Sequence, residues 1–241
     1  MFKTEMSQVT DENRAFVQQY FDYIDPKTHI IDTAYSLYMP QIRPEISELF
    51  DIVAVHSKDT ETYNILEIGT KFGGTFYLWN SINKNGLNIS IDLESGIHGG
   101  VSKEEMDKRD VWFNERFDNC RFIRGNSHDP STLMEVIRLL TSVLPDKNNE
   151  VSVNIDMLFI DGDHTYEGVK QDFQMFSPFV SSGGLVVFHD ITDSKRHRDR
   201  NVNVSQFWNE IKGNYEHYEI IHPDTDDVDQ RWAGLGILVK K

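Results

Sequence analysis

The sequence contains a single cysteine, Cys120. An internal disulfide framework and a cysteine-only zinc site are therefore excluded. No apolar run approaches the roughly 18 residues that a membrane-spanning helix needs. The first residues, MFKTEMSQVTDENR, turn polar at once and lack the apolar region of a signal peptide. Basic residues are scarce: 24 Lys+Arg stand against 39 Asp+Glu, a formal net charge of −15. That balance argues against a nonspecific nucleic-acid or anionic-membrane binder, because phosphate binding needs a basic face. Internal repeats, low-complexity tracts and long Gly/Ser/Pro linkers are also lacking. What is present is 241 residues, 39% hydrophobic and 26% charged, enough for a soluble domain with a sizeable core. The expectation is a cytoplasmic enzyme acting on a small molecule.

The chain divides into a helical extension, residues 1–60, and a larger domain, residues 61–241. Phe16, Val17, Tyr20, Phe21 and Ile24 share one face of a helix over 11–24. A second helix over 44–56 carries Pro44 in its first turn and Ile46, Leu49, Phe50 and Val53 as its stripe. The stretch 25–43 between them reads as a lid or a surface loop, and the extension as a lid or an oligomer contact. From residue 64 short apolar runs alternate with helical patterns. Strands are expected at 64–68, 88–92, 121–124, 156–160, 185–189, 217–222 and 235–239. Helices are expected near 75–84, 103–117, 131–143, 167–180 and 204–213. Such alternation implies an α/β fold, a Rossmann-like, doubly wound, mostly parallel seven-stranded sheet with an antiparallel final strand. Sheets of this kind bind ligands beyond the carboxyl ends of their strands.

The first strand runs into ILEIGTKFGGTF, residues 65–76. Gly69, Gly73 and Gly74, with Thr70 among them, allow a loop backbone to approach a ligand closely. The spacing is not the Gly-x-Gly-x-x-Gly of a dinucleotide fold. Glu67 just before the loop would oppose a pyrophosphate and suits a cationic ligand, which favours S-adenosylmethionine (SAM). Asp92 ends the second strand, where an acid can accept both ribose hydroxyls of an adenosyl group. Asn126, Ser127 and His128 follow the third strand, at the position of an adenine edge. The fourth strand ends in Asp161, Asp163 and His164, and the fifth in His189 and Asp190. Adjacent strands would aim Asp161, His189 and Asp190 at one point, and carboxylates converging with a histidine can hold a divalent cation.

With these residues in view, the chain resembles a class I SAM-dependent methyltransferase. It is similar to the cephalosporin-hydroxylase-like group, which includes macrolide sugar O-methyltransferases. The segments that carry the resemblance are ILEIGTKFGG, ISIDLESG, CRFIRGNSHDPSTLMEV, MLFIDGDHTYEGVKQDF and SPFVSSGGLVVFHDI. The resemblance implies SAM contacts from Glu67, the Gly69–Gly74 loop, Asp92, Asn126, Ser127 and Asp161. It also implies a metal, magnesium or manganese, at Asp161, His189 and Asp190. The family often has Glu-Asp where this chain has His189-Asp190. The implied reaction is metal-assisted O-methylation of a sugar or a small secondary metabolite. Asp161 and Asp190 would hold the ion, and His164, as a near-unperturbed histidine, would be the base. The basic run 195–200 admits an anionic or glycosylated acceptor. Three other readings stay open: an N-methyltransferase without metal, a nicotinamide-dependent oxidoreductase and a noncatalytic SAM-binding protein.

Overall fold

Alternation along the strands decides where helices can pack. In β1 (Ile65–Ile68), Ile65 joins one apolar cluster while Leu66 and Ile68 join the other. In β4 (Ile155–Ile160), Met157 and Phe159 face one side, and Leu158 and Ile160 face the opposite side. A strand period of two thus gives the sheet two apolar faces, and both must be covered. The computed structural model describes residues 26–94, 101–142 and 153–241. The helix expected over 11–24 lies outside these residues.

The other strands are β2 (Asn88–Asp92), β3 (Cys120–Arg124), β5 (Val180–His189), β6 (Glu216–Ile220) and β7 (Leu235–Val239). All seven form one sheet in the order β3-β2-β1-β4-β5-β7-β6. β7 runs antiparallel to β5 and β6, and the other pairs are parallel. The expected doubly wound sheet with an antiparallel final strand is therefore present. The last strand enters between β5 and β6, so β6 forms the edge.

The helices are α1 (Pro26–Ser36), α2 (Arg43–Ser57), α3 (Gly74–Ile82), α4 (Lys103–Asn114), α5 (Pro130–Ser142), α6 (Tyr166–Phe176), α7 (Lys195–Asp199) and α8 (Val204–Ile211). On one face Ile31, Leu49, Phe76, Trp79 and Phe113 from α1 to α4 pack with Phe159 and Val187. On the other, Val136, Val169, Phe207 and Trp208 from α5, α6 and α8 pack with Leu66, Val186 and Phe188. Burying a large apolar side chain of this kind contributes about 1.5–3 kcal/mol. The Ser102–Glu105 capping box that starts α4 is formed on both sides.

Two segments differ from expectation. Within 25–43, Pro26–Ser36 is a helix, with Pro26 at its first position and Ile31 and Ala34 buried. Residues 26–57 thereby share one core with the sheet. The basic run also forms a helix, α7, capped by Ser194, whose side chain accepts from the His197 N–H.

Register sets the site. Ile68 pairs with Ile91 and with Ile160, and Ile160 pairs with Phe188. The next residue along each strand is Gly69, Asp92, Asp161 or His189, so all four emerge at one edge.

Candidate active site

A cavity of about 350 Å³ opens at this edge. Gly69, Thr70, Lys71, Gly74, Asp92, Asn126, Ser127 and His128 line one part of it. Asp161, Asp163, His164, His189 and Asp190 line another, and Tyr38, Pro40 and Trp232 complete the wall.

Gly69 has φ +94°, and a Cβ there would lie 2.0 Å from the Asp161 carbonyl oxygen. Only glycine lets the loop cross β4 so closely. Gly73 has φ +92° and sits against the Phe113 ring, where a Cβ would be 2.7 Å from Cε2. Thr70 Oγ1 is hydrogen-bonded to Ser90 Oγ, which ties the loop to β2.

Glu67 was expected to touch the cofactor, yet it is not among the residues lining the cavity. The pleat turns it toward α3, where it is buried and accepts from Trp79 Nε1 at 2.6 Å. Burial pushes its carboxyl well above the usual carboxylate range, and the Trp79 hydrogen bond offsets this only in part. An enclosed carboxyl whose charged form is disfavoured by burial is poorly placed to attract a cation.

Asp92 lies at the cavity wall and is paired with Arg109, whose Nη1 donates to its Oδ2 at 3.0 Å. The same Nη1 donates to the Lys71 carbonyl at 2.6 Å, and Lys71 has φ +51°. Arg109 thus couples the glycine loop to the acid after β2. Burial raises the Asp92 pKa, and Arg109 opposes that shift. Arg109 escaped the sequence reading, although Met106, Arg109 and Phe113 share the buried face of α4 at i, i+3 and i+7 spacing. Nothing comparable flags Gln41, which donates from Nε2 to Asp161 Oδ2 at 3.0 Å.

The ends of β4 and β5 form a compact charged group. His189 Nδ1 lies 3.1 Å from Asp161 Oδ1 and 3.3 Å from Asp190 Oδ1. His164 Nδ1 lies 3.1 Å from Asp190 Oδ2 and 3.9 Å from Asp161 Oδ1. His197 Nε2 approaches Asp190 Oδ1 at 3.4 Å. Burial pushes the Asp190 pKa up, but the His189 charge and hydrogen bonds from His164, His189 and His197 outweigh it and hold the group well below its usual range. Burial likewise lowers His189, and Asp161 and Asp190 outweigh it, leaving this histidine well above its usual value. His164 is shifted up in the same way, by Asp190 and then Asp161 against burial. It is therefore not the near-unperturbed histidine expected from the sequence. Asp190 itself has φ +63°, a strained conformation for a residue with a Cβ.

Asp161, His164 and Asp190 each offer one ligand atom, and the three atoms lie within 4.8 Å of one another. His189, expected as a ligand, is not part of that group. It lies deeper, with both ring nitrogens enclosed, and its ring meets Trp232 edge-on at 6.3 Å. His128, expected at the adenine edge, turns away from these residues: its Nε2 lies 3.2 Å from Asp172 Oδ1 on α6. Of the basic run, Lys195 pairs with Asp199 and Arg198 with Asp193, while Arg196 stacks over Trp232 at 5.4 Å.

A sheet of this order, with a glycine loop after β1 and an acid after β2, defines the class I SAM-dependent methyltransferase fold. The chain belongs to the methyltransferase-domain family, which matches residues 66–191, just over half of its length. An uncharacterized protein of Acanthamoeba polyphaga mimivirus is 33% identical over 185 residues, covering 76% of this chain and 71% of that one. Among solved structures, the O-methyltransferase TomG of Streptomyces achromogenes, in complex with SAM, has a TM-score of 0.53 at 17% identity, covering 96% of this chain and 100% of that one. MycE, a methyltransferase of the mycinamycin pathway solved with Mg, SAH and mycinamycin VI, has a TM-score of 0.55 at 14% identity, covering 97% and 64%. At these identities the structural likeness is one of fold. The protein is a SAM-dependent methyltransferase. No described helix is long and apolar enough to cross a membrane.

Proposed function

We propose that the protein is a metal-assisted O-methyltransferase of a small hydroxylated molecule, such as a sugar or a decorated secondary metabolite. The observation that carries this reading is the convergence of Asp161, His164 and Asp190 on one point of the cavity wall. The glycine loop, Asp92 and the Asn126–Ser127 turn would hold SAM, with its ribose hydroxyls at Asp92. SAM supplies a methyl group already activated by its sulfonium. Two carboxylates and an imidazole are a donor set for a divalent cation, and the nitrogen ligand suits manganese or another transition metal better than magnesium. Such a cation would lower the pKa of an acceptor hydroxyl and orient it.

The chain's own residues then have separate tasks. The acceptor oxygen forms its bond to carbon as the carbon–sulfur bond breaks, so donor and acceptor must be held in line. Tyr38, Pro40 and Trp232 bound the space left for the acceptor. Arg196, from the basic run, stacks over Trp232 of that wall. His189 Nδ1 sits between Asp161 Oδ1 and Asp190 Oδ1, at 3.1 and 3.3 Å, and so bridges the two acids.

A metal-free reading has one observation in its favour. The 3.1 Å contact between His164 Nδ1 and Asp190 Oδ2 is the arrangement of a histidine base oriented by a carboxylate. Because the His164 pKa is raised, such an enzyme would gain rate as pH rises past the ordinary histidine range.

The test is methyl transfer from labelled SAM to a panel of hydroxylated acceptors, with Mn²⁺ and with chelator. We expect dependence on the ion and a loss of about 10²–10⁴-fold in Asp190→Asn. Full activity in chelator, rising with pH, would favour the histidine base. Transfer only to amines would overturn O-methylation.

A further inference from the structure

We propose that Gln41 is a positioning residue for Asp161, which makes the segment joining α1 to α2 part of the reaction chamber. The proposal rests on the reading of Asp161 as an ion-holding group.

Asp161 stands at a strand end, and nothing in a strand end fixes the rotation of a carboxylate. Gln41 is 6% exposed and donates from Nε2 to Asp161 Oδ2 at 3.0 Å. The other oxygen, Oδ1, is the one that faces His189 at 3.1 Å and His164 at 3.9 Å. The amide thus occupies one oxygen and leaves its twin directed at the cluster. An amide suits this task because it donates a hydrogen bond without bringing a positive charge into the cluster. A lysine or arginine in its place would compete with a cation.

Gln41 is itself held. Its carbonyl accepts from Tyr35 Oη at 2.8 Å, and its N–H donates to the Met39 carbonyl at 2.9 Å. The segment is docked on the start of α3. A Cβ at Gly74 would lie 2.7 Å from both the Ala34 carbonyl oxygen and Met39 Cβ. Gly74 therefore serves the docking of this segment as well as the ligand loop. Tyr38, at φ +64°, leans edge-on against Phe72 at 5.3 Å and lines the cavity with Pro40. The segment that walls the cavity with Tyr38 and Pro40 thus also delivers the Gln41 amide to Asp161.

The test compares wild type with Gln41→Met, which keeps the side chain's length and removes its donor. Mn²⁺ affinity is read by electron paramagnetic resonance, SAM affinity by calorimetry and folding by thermal melting. Loss of a hydrogen bond to a ligating carboxylate should weaken Mn²⁺ about 10-fold or more, with SAM affinity and melting temperature near wild type. Unchanged Mn²⁺ affinity overturns the proposal. So does a parallel loss of Mn²⁺ affinity, SAM affinity and stability, because that would mark Gln41 as structural only. Gln41→Asn, whose amide falls one methylene short, carries the same test if the methionine variant does not fold. If wild type binds no Mn²⁺, the metal reading fails by itself. Crystal structures of wild type and variant then decide: a second Asp161 orientation in the variant upholds the proposal, and one unchanged orientation overturns it.

Discussion

The two halves of the carboxyl edge are built from different materials. At the ends of β1 and β2, the wall is glycine backbone with Thr70 and Asp92, which Ser90 and Arg109 hold from outside the cavity. At the ends of β4 and β5, Asp161, His164, His189, Asp190 and His197 crowd together with separations of 3.1 to 3.9 Å. The first half is shaped by close backbone approach, which its glycines permit. The second stores electrostatic tension: Asp190 is held down, His164 and His189 are held up, and Asp190 is strained. Opposed pKa shifts in one cavity wall are expected where chemistry occurs rather than where a cofactor merely rests. The difference teaches that one sheet edge can carry a backbone-lined half and a densely charged half, with strand register as the common frame.

The largest effect should come from the residue that joins the halves. In Gly69→Ala, the new Cβ would meet the Asp161 carbonyl at 2.0 Å, and φ is +94°. Backbone cannot yield as a side-chain tip can, so we expect destabilisation of about 4 kcal/mol or more, read as a lower urea midpoint. A cost under about 1 kcal/mol would mean that the loop can move off β4, and the halves would not be rigidly joined. Next in size is Asp92→Ala. Losing hydrogen bonds to a charged group costs about 1.5–3 kcal/mol, so SAM affinity should fall roughly 10- to 100-fold by calorimetry. Asp190→Asn in the same assay should leave SAM affinity close to wild type. Equal losses in both variants would erase the division of labour.

The first half was legible in the sequence because its signals are local. Gly69, Gly73, Gly74 and Asp92 are set by loop spacing and strand ends, and a strand–helix pattern carries that information. The acids and histidines after β4 and β5 were visible as residues, and the strand order brought Asp161 and Asp190 together as expected. Their partition was not visible. Which of His164 and His189 faces Asp190 Oδ2 depends on the turn after Asp161 and on the direction of a pleat. Glu67 was misplaced for the same reason: alternation sends residues 65 and 67 to the α3 face, whatever their chemistry. Gln41 and Arg109 approach across the fold, Gln41 from 120 residues away. A single sequence holds no pattern that pairs them with Asp161 and Asp92.

The smallest predicted effect tests whether such tension extends to the turn after β3. His128 lines the cavity beside Asn126 and Ser127, with Nε2 3.2 Å from Asp172 Oδ1 and 3.2 Å from the Gly168 carbonyl. The groups that bear on it are Asp172 on α6, then Asp163 and, most weakly, the Gly168 carbonyl on α6. The Asp172 hydrogen bond and charge raise the His128 pKa against burial. A raised histidine pKa stabilises the fold fully below the unfolded value of about 6.5, and that contribution is lost as pH rises through the folded value. The melting temperature of wild type minus that of His128→Gln should therefore be largest near pH 5.5–6 and shrink toward pH 9. Partial exposure limits the size to about 1 kcal/mol, or roughly 2–4 °C. A difference that does not vary with pH would mean that His128 stays neutral and only packs against α6. The turn after β3 would then add no electrostatic tension, and its contrast with the ends of β4 and β5 would be sharper than the geometry of His128 now implies.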